Sequence, residues 1–258
     1  MKDEFKNSWA VILGGSQGLG FASARKLASH GMNICIVHRD RKSDVSKLEN
    51  AFNDLRDLGV ELKTFNMDLL KIETQKEVIA AIPQGSVSLL LHSIAKGSVK
   101  PLYAENDEAL DQEDFLLTIR AMGTSWLEWT QAFIKAGLFA KDARNLAFTS
   151  EGNKKALKYY GAVSAAKATL ESLMRQMALE LAPLGIRSNC IQAGVTRTIS
   201  FNRIPGSEQV AQFTEKRNPF HRLTRPEDVA NAVYLLTKEE AAWINGAVIP
   251  VDGGESIR

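Results

Sequence analysis

Short apolar runs alternate with helical periodicities along this whole sequence, and the alternation restricts the possible folds more than any other feature. Seven aliphatic or β-branched runs predict strands, at Trp9–Leu13, Met32–Val37, Leu62–Met67, Val87–His92, Asn145–Phe148, Ile186–Ile191 and Ala247–Val251. Between them, apolar residues recur at spacings of three and four, as in Phe21, Ala24, Leu27 and Ala28. Strands that alternate with helices form a parallel sheet covered on both faces. We therefore predict an α/β fold with one doubly wound parallel sheet, in a single domain spanning residues 1–258.

The composition is that of an ordinary globular protein. Of the 258 residues, 45 % are hydrophobic and 24 % are charged, and the formal net charge is +2. So small a charge gives no reason to expect a nucleic-acid-binding or membrane-surface protein. The only two cysteines, Cys35 and Cys190, stand inside apolar runs, which indicates buried thiols and neither a disulfide framework nor a metal site. The sequence shows no hydrophobic signal core and no membrane span, so we expect a cytoplasmic location.

A glycine cluster directly follows the first predicted strand. The segment Gly14-Gly15-Ser16-Gln17-Gly18-Leu19-Gly20 has the spacing G-x-x-x-G-x-G and opens a helix. Glycines allow the backbone to approach a pyrophosphate closely, and the free amides and positive end of the helix then bind the phosphates. Tight strand-to-helix turns also use glycine, but this turn opens the first βαβ unit of a parallel sheet. The position therefore favours a dinucleotide-binding loop of the Rossmann type.

The end of the second predicted strand bears on the choice of dinucleotide. A free ribose diol is usually bound by an acid about 20 residues beyond the glycine loop, and His38 stands at that place. Arg39 follows, and a guanidinium beside the ribose 2′ position suits a phosphate better than a neutral diol. Asp40 keeps the other choice open, because a shift of two residues would bring its carboxylate to the ribose. We predict NADPH as the favoured cofactor, with NADH as the alternative, and no metal.

The segment from Ser150 to Lys167 reads SEGNKKALKYYGAVSAAK and continues as a helix. With the glycine loop it resembles the short-chain dehydrogenases/reductases over nearly the whole chain. Further matching segments are Asp68-Leu69, His92-Ser93-Ile94-Ala95, Ala193-Gly194-Val195-Thr196-Arg197-Thr198 and Val251-Asp252-Gly253-Gly254. Most of that superfamily has a Tyr four residues before the Lys, where this chain has Val163, whereas Tyr160 gives Tyr-x6-Lys. The longer spacing, with the His-Ser-Ile-Ala and Ala-Gly-x-x-Arg-Thr segments, resembles the enoyl-acyl-carrier-protein reductases of type II fatty-acid synthesis.

The spacing of Tyr160 and Lys167 also makes chemical sense. Seven residues are close to two helical turns, so the two side chains share a helix face about 10 Å apart along the axis. Lys167 would then bind the nicotinamide ribose hydroxyls and act on Tyr160 through them, since a nearby ammonium lowers the pKa of a phenol. Tyr159 would be rotated by about 100° on the helix, which predicts a packing residue.

Ser150 occupies the place of the superfamily's catalytic Ser. Many Tyr-x6-Lys enoyl reductases have a second aromatic hydroxyl residue there, so Ser150 is a departure that weakens the enoyl assignment relative to the keto one. Two roles are open to Ser150: it donates to a substrate carbonyl, or it ends the strand and caps the turn to Gly152. Arg120 stands where many relatives carry an Asn, which argues against a proton relay through that position.

The resemblance implies a set of cofactor-binding residues and a reaction. The residues are Gly14, Ser16, Gln17, Gly18, Leu19, Gly20, His38, Arg39, Asp68, Leu69, Ser93, Ile94, Ala95, Lys167, Gly194, Thr196 and Thr198. In the reaction, hydride passes from NADPH to the β-carbon of a trans-2-enoyl thioester, and Tyr160 hydrogen-bonds the enolate oxygen, with Lys167 and Ser150 as further catalytic residues. One alternative is a 3-oxoacyl-thioester or other carbonyl reductase that uses the same residues. Another is a nucleotide-binding regulatory protein without turnover.

Residues 196–225, which we call the lid segment, interrupt the strand–helix rhythm. The segment holds six Lys and Arg residues against two Glu, so the small net charge of the chain conceals a basic region. Pro205-Gly206 and Pro219 break any long helix here, and we predict a mobile substrate lid. Its charge suits an acidic acyl carrier protein that bears the acyl thioester, with Arg203 and Lys216 as contacts. The resemblance also suggests a homotetramer.

Overall fold

A parallel sheet of seven strands runs through the described part of the chain, which is residues 4–105 and 108–258 of a computed structural model. The strands are β1 (Trp9–Leu13), β2 (Asn33–His38), β3 (Leu62–Asn66), β4 (Val87–His92), β5 (Phe139–Thr149), β6 (Ile186–Ala193) and β7 (Val248–Val251). Their spatial order is β3-β2-β1-β4-β5-β6-β7, and every neighbouring pair is parallel. The order reverses between β1 and β4, and this topology binds ligands in the crevice at that point.

Helices cover both faces of the sheet. They are α1 (Gly18–Ala28), α2 (Val45–Arg56), α3 (Ile72–Ala81), α4 (Gln112–Ile119), α5 (Ser125–Lys135), α6 (Gly161–Glu180), α7 (Ile199–Asn202), α8 (Ser207–Arg217) and α9 (Pro226–Thr237). A π-helical turn, Arg120–Thr124, joins α4 to α5. The predicted doubly wound α/β fold of the Rossmann type is confirmed.

Alternate residues of the central strands supply the two halves of the core. Ile12 and Ile36 pack with α1, α2 and α9 on one face, whereas Val11 and Val37 pack with α3, α5 and α6 on the other. All five residues of β1 are buried. A strand covered on both faces appears in the sequence as a continuous apolar run, which is why β1 could be predicted with its observed bounds.

Strand β5 is longer than predicted, because charged residues interrupt the apolar pattern in its first half. Arg144 lies in that half and is only 3 % exposed, yet its guanidinium is well paired. It donates to the Asp142 carboxylate at 2.6 Å and to the carbonyl oxygens of Leu236 at 2.9 Å and Lys238 at 3.1 Å. A buried charge is tolerated when it is paired in this way. The predicted strand therefore began only at Asn145, and the first half of β5 was not predicted.

Both cysteines are buried free thiols, as predicted. Burial raises the pKa of the Cys35 thiol to about 12, which keeps it protonated and unreactive. Within residues 4–105 and 108–258, no group of three or more His, Cys, Asp or Glu side chains is arranged to bind a metal ion. Over the same ranges, none of the helices has the length and apolarity that crossing a membrane requires.

Candidate active site

The glycine loop lies against the end of β4. A Cβ atom on Gly14 would come within 2.4 Å of the Ser93 carbonyl oxygen, and one on Gly20 within 2.3 Å of the Gly14 carbonyl oxygen. Gly14 also has a φ of 88°, a left-handed conformation that glycine adopts without strain. Close backbone approach therefore requires glycine at both positions. The structure brings the predicted cofactor residues Gly14, Gly20 and Ser93 together at the sheet reversal.

The first turn of α1 is suited to an anion. Gln17 is the N-cap residue but provides no side-chain cap, and the first turn contains no acidic residue. A Cβ atom on Gly18 would lie 3.3 Å from Thr198 Cγ2, so the loop faces the start of the lid segment. Uncapped amides and the positive end of a helix are what a pyrophosphate needs. The residues present therefore fit a dinucleotide cofactor.

The polar side chains at the end of β2 are held by protein partners. His38 Nδ1 lies 2.8 Å from Asp40 Oδ2, and Gln17 Nε2 lies 3.5 Å from Asp40 Oδ1. Asp40 therefore links the end of β2 to the glycine loop. Arg39 donates to Asp68 Oδ2 at 2.8 Å, while its side chain remains 66 % exposed. An exposed guanidinium can turn from this carboxylate to a ligand at small cost.

Asp68 is an ionised acceptor at the place predicted for the adenine. Its Oδ1 atom accepts from the Leu70 amide at 3.1 Å, and Lys96 Nζ lies 3.8 Å from Oδ2. Burial alone would raise the pKa of Asp68, but the Leu70 amide, Lys96 and Arg39 together lower it below its usual range. Leu69, the other residue predicted at the adenine, packs against the core beside α5.

Tyr160 and Ser150 meet at the carboxyl end of β5, where their hydroxyl oxygens lie 3.1 Å apart. Tyr160 is the N-cap residue of α6, and Ser150 precedes the 3₁₀ turn Glu151–Asn153 without capping it through its side chain. Of the two roles open to Ser150, the geometry favours the partner of Tyr160 over the cap of the turn. Burial raises the pKa of Tyr160 more than the Ser150 hydrogen bond lowers it. The phenol is therefore protonated at neutral pH and available as a hydrogen-bond donor.

Gly152 determines where the ring of Tyr160 lies. A Cβ atom on Gly152 would come within 2.5 Å of Tyr160 Cε1 and 2.7 Å of Cδ1. The ring therefore occupies the space that any other side chain at this position would need. Nothing in the sequence links this glycine to Tyr160, because the contact forms only when the turn after β5 folds back on the start of α6.

Lys167 is buried beside the same strand end. Its side chain is 5 % exposed, and Nζ donates to the Phe148 carbonyl oxygen at 2.7 Å. Burial lowers the pKa of Lys167 to about 8, while the carboxylate of Glu171 acts in the opposite sense. Phe148 precedes Ser150 by two residues, so one short stretch of β5 fixes both Lys167 and Tyr160.

Three consecutive residues, the last two of β5 and the one that follows, thus bond to α6 or to its N-cap residue. The pairs are Phe148 with Lys167, Thr149 with Glu171, and Ser150 with Tyr160. The Thr149 hydroxyl donates to Glu171 Oε1 at 2.7 Å, and both side chains are buried. The sequence analysis named neither Thr149 nor Glu171. The signal that would have found Glu171 is an acid one helical turn after the Lys on a buried face.

Tyr159 is exposed, whereas Arg120 is held by two contacts. The prediction that Tyr159 packs is wrong: its side chain is 37 % exposed and its φ is 63°. The helical argument assumed that α6 includes this residue, whereas the helix begins at Gly161. Arg120 donates to the Leu70 carbonyl oxygen at 3.1 Å, and its Nε atom lies 3.5 Å from Glu128. Arg120 thus joins the loop after β3 to α5.

The residues predicted toward the nicotinamide end are partly engaged with their own loop. A Cβ atom on Gly194 would come within 2.3 Å of Thr224 Oγ1, so glycine is needed for close packing there. Thr196 donates to the Gly194 carbonyl oxygen at 2.9 Å, and the Thr198 hydroxyl accepts from the Phe201 amide at 3.1 Å and caps α7. Thr198 is the member of this group that faces the glycine loop. Ile94 is buried after β4, and Ala95 is exposed.

The lid segment folds into α7 and α8, and much of its positive charge is paired. The ion pairs are Arg197 with Glu208 at 2.8 Å, Arg217 with Glu151 at 2.7 Å, and Arg222 with Asp228 at 2.6 Å. The basic character is therefore smaller than the sequence count indicates. Arg203 and Lys216 are exposed, and within the described ranges neither forms an ion pair.

The sequence matches a family and a curated relative over nearly its full length. Residues 14–256 match the family described as Enoyl-(Acyl carrier protein) reductase. The uncharacterized oxidoreductase YjdA of Bacillus subtilis (strain 168) is 28 % identical over 249 residues, which are 95 % of this chain and 95 % of that protein.

Two solved structures share the fold. The enoyl-[acyl-carrier-protein] reductase (NADH) of Aquifex aeolicus VF5 has a TM-score of 0.82 and 24 % identity, and the match covers 98 % of both chains. An NADPH-bound short-chain oxidoreductase of Pseudomonas aeruginosa PAO1, described as containing an atypical catalytic center, has a TM-score of 0.80 and 26 % identity. That match covers 96 % of both chains.

The contact between Gly152 and the Tyr160 ring leads to a first prediction. In Gly152→Ala the added methyl group displaces the ring, so the Tyr160 hydroxyl moves out of hydrogen-bond distance of Ser150. Because misplacing a reacting group by about 1 Å can reduce a rate by about 100-fold, we expect kcat to fall by about 10- to 100-fold while the protein still binds its cofactor. Steady-state kinetics and cofactor titration measure both quantities. An alanine variant with wild-type kcat would contradict this role of Gly152.

The buried Lys167 makes the free energy of unfolding depend on pH. Its pKa is lowered from 10.5 to about 8 in the folded protein, so between these values the unfolded chain binds a proton that the folded protein does not. Stability conferred at this site therefore rises with pH over that range. Relative to Lys167→Met, the unfolding free energy of the wild type should rise by about 1 kcal/mol per pH unit between about pH 8 and 10. Urea titrations measure it, with the exposed Lys47→Met as the control for loss of one charge, and a flat difference would refute the prediction.

Proposed function

Because the chain belongs to the short-chain dehydrogenase/reductase superfamily, in the family described as Enoyl-(Acyl carrier protein) reductase, and is therefore an oxidoreductase, we propose that it reduces trans-2-enoyl thioesters with NADPH. The observation that carries the proposal is the Tyr160–Ser150 hydroxyl pair beside the buried Lys167. The Tyr-x6-Lys spacing of Tyr160 and Lys167 resembles that of enoyl reductases and favours the enoyl over the keto reaction.

The protein groups have separate tasks in this reaction. The glycine loop and the first turn of α1 would bind the pyrophosphate, and Lys167 would bind the nicotinamide ribose. When bound, the nicotinamide supplies the hydride that goes to the β-carbon of the substrate. The Tyr160 hydroxyl donates a hydrogen bond to the thioester oxygen, where the negative charge of the enolate collects, and the α-carbon then takes a proton from solvent to complete the reduction. Ser150 orients that hydroxyl through the 3.1 Å contact between the two oxygens.

Turnover of two thioesters tests the proposed reaction. We expect faster NADPH oxidation with crotonyl-CoA than with acetoacetyl-CoA, because the first has the double bond and the second the ketone. Tyr160→Phe should lower kcat/KM by about 100-fold or more, the usual effect of losing a donor to a developing oxyanion, with the Kd for NADPH unchanged. Tyr159→Phe, at the exposed neighbouring tyrosine, is the matched control and should behave as the wild type.

Each alternative function predicts a different outcome of that assay. Faster reduction of acetoacetyl-CoA would replace the enoyl proposal with a carbonyl reductase that uses the same residues. Tight NADPH binding without turnover of either thioester would favour a nucleotide-binding regulatory protein.

Arg39 supports NADPH over NADH as the cofactor. The likeness to one structure whose name specifies NADH and to another bound to NADPH supports a nicotinamide cofactor but does not choose between the two. Asp40, the residue suited to a free ribose diol, is paired with His38 and Gln17, and Arg39 is paired with Asp68. Because the Arg39 side chain is 66 % exposed, its guanidinium can turn from that carboxylate to a 2′-phosphate at small cost.

Substitution of Arg39 tests the choice of cofactor. Arg39→Gln should weaken NADPH binding by about tenfold or more and leave NADH binding nearly unchanged, because only NADPH carries the 2′-phosphate. Fluorescence titration of both dinucleotides measures the two Kd values, and the exposed Arg41→Gln is the control for general charge. Equal losses for the two dinucleotides would show that Arg39 does not recognise the phosphate.

The proposal extends to the partner that delivers the acyl group. Arg203 and Lys216 present two exposed cations on the lid segment, and an acidic acyl carrier protein is the complementary partner. A lower KM for the carrier-linked thioester than for the CoA thioester would support it, and equal values would oppose it. On the family resemblance we also propose a homotetramer.

A further inference from the structure

Residues outside the lid segment hold it at two places. Immediately before its start, the Val195 amide donates to Glu255 Oε1 at 2.8 Å. At the end of α8, Arg217 Nη2 donates to Glu151 Oε2 at 2.7 Å. The next residue, Asn218, donates through Nδ2 to the Asp252 carbonyl oxygen at 2.9 Å. We refer to Glu151, Arg217, Asp252 and Glu255 as the lid anchor.

The lid anchor is a buried and electrostatically coupled group. Asp252 and Glu255 are 5 % and 2 % exposed, and the side chains of Arg217 and Glu151 are 18 % and 17 % exposed. Burial raises the pKa of Glu255, and Asp252 and Glu151 raise it further, whereas the Val195 amide and Arg217 lower it. Arg217, with Lys155 beside Glu151, therefore supplies positive charge that offsets these carboxylates in a region mostly shielded from water. An ion pair in such a place contributes more than an exposed one such as Arg197–Glu208.

Glu151 connects the lid anchor to the catalytic hydroxyl pair. It follows Ser150 in the chain and begins the 3₁₀ turn Glu151–Asn153. The next residue of that turn, Gly152, lies against the ring of Tyr160. Lys155 forms an ion pair with the other carboxylate oxygen of Glu151. A movement of α8 that displaces Arg217 would therefore act on the backbone that positions Ser150 and Tyr160.

We propose that Arg217 is a positioning residue for the reaction: its ion pair with Glu151 couples the placement of the lid segment to the placement of the Ser150–Tyr160 pair. The proposal rests on the proposed function for its catalytic consequence, because substrate must reach Tyr160 beneath the lid segment. Its structural content is independent of the substrate. Without the ion pair, α8 separates from the turn after β5, and the substrate site opens while the glycine loop is unaffected.

Kinetics of Arg217 variants test the catalytic consequence. In Arg217→Gln the KM for crotonyl-CoA should rise by about tenfold, kcat should fall less, and the Kd for NADPH should stay within about twofold of the wild type. Arg217→Lys retains the positive charge and should restore part of the loss. Arg197→Gln is the matched control, since it removes an exposed Arg–Glu pair of the same lid segment and should change none of the three values by more than about twofold.

Hydrogen–deuterium exchange tests the anchor without any substrate. In the protein without ligand, Arg217→Gln and Glu151→Gln should each accelerate amide exchange in residues 199–217 by about tenfold, and the double variant should exchange no faster than either single variant. Arg197→Gln should exchange as the wild type does. If crotonyl-CoA is not turned over but these exchange results hold, the proposed function fails and the anchor stands. Wild-type exchange in Arg217→Gln, or equal acceleration in Arg197→Gln, would overturn the proposal.

Discussion

The attachment of the end of β5 to α6 is the interaction on which the candidate active site depends. Phe148, Thr149 and Ser150 bond in succession to Lys167, Glu171 and Tyr160, so the helix is fixed against the strand in one register. Each of these bonds is buried or partly buried, where an unpaired polar group would cost roughly 1–3 kcal/mol. The same contacts that stabilise the strand end therefore determine where the phenol and the ammonium lie.

Burial gives these groups their chemical character. Burial lowers the pKa of Lys167 to about 8 and raises that of Tyr160. The amine can therefore gain or lose its proton near pH 8, whereas the phenol keeps its proton at neutral pH. The protein accepts an energetic cost at Lys167, since burial of its ammonium outweighs the opposing effect of the Glu171 carboxylate. The glycine loop supplies the complementary feature, a backbone surface whose free amides fit phosphate charge without any side chain.

The features that depend on local sequence pattern could be predicted from the sequence. The bounds of β1 and β4 follow from apolar runs, and the family resemblance, now confirmed, identified Tyr160, Lys167 and Ser150 by spacing. The first half of β5 and the contacts of Gly152, Glu171 and Arg217 were missed, because they depend on how the chain folds: Glu171 meets Thr149, Arg217 meets Glu151, and the turn after β5 brings Gly152 to Tyr160. Tyr159 was misjudged because the helix was assumed to start two residues too early.

A crystal structure with NADPH bound tests the central claim most directly. The account predicts that the nicotinamide ring lies beside the Tyr160 hydroxyl and that Lys167 Nζ lies within hydrogen-bond distance of the ribose hydroxyls, with the pyrophosphate on the glycine loop. A nicotinamide ring turned away from Tyr160, with Lys167 bonded only to the Phe148 carbonyl oxygen, would contradict it.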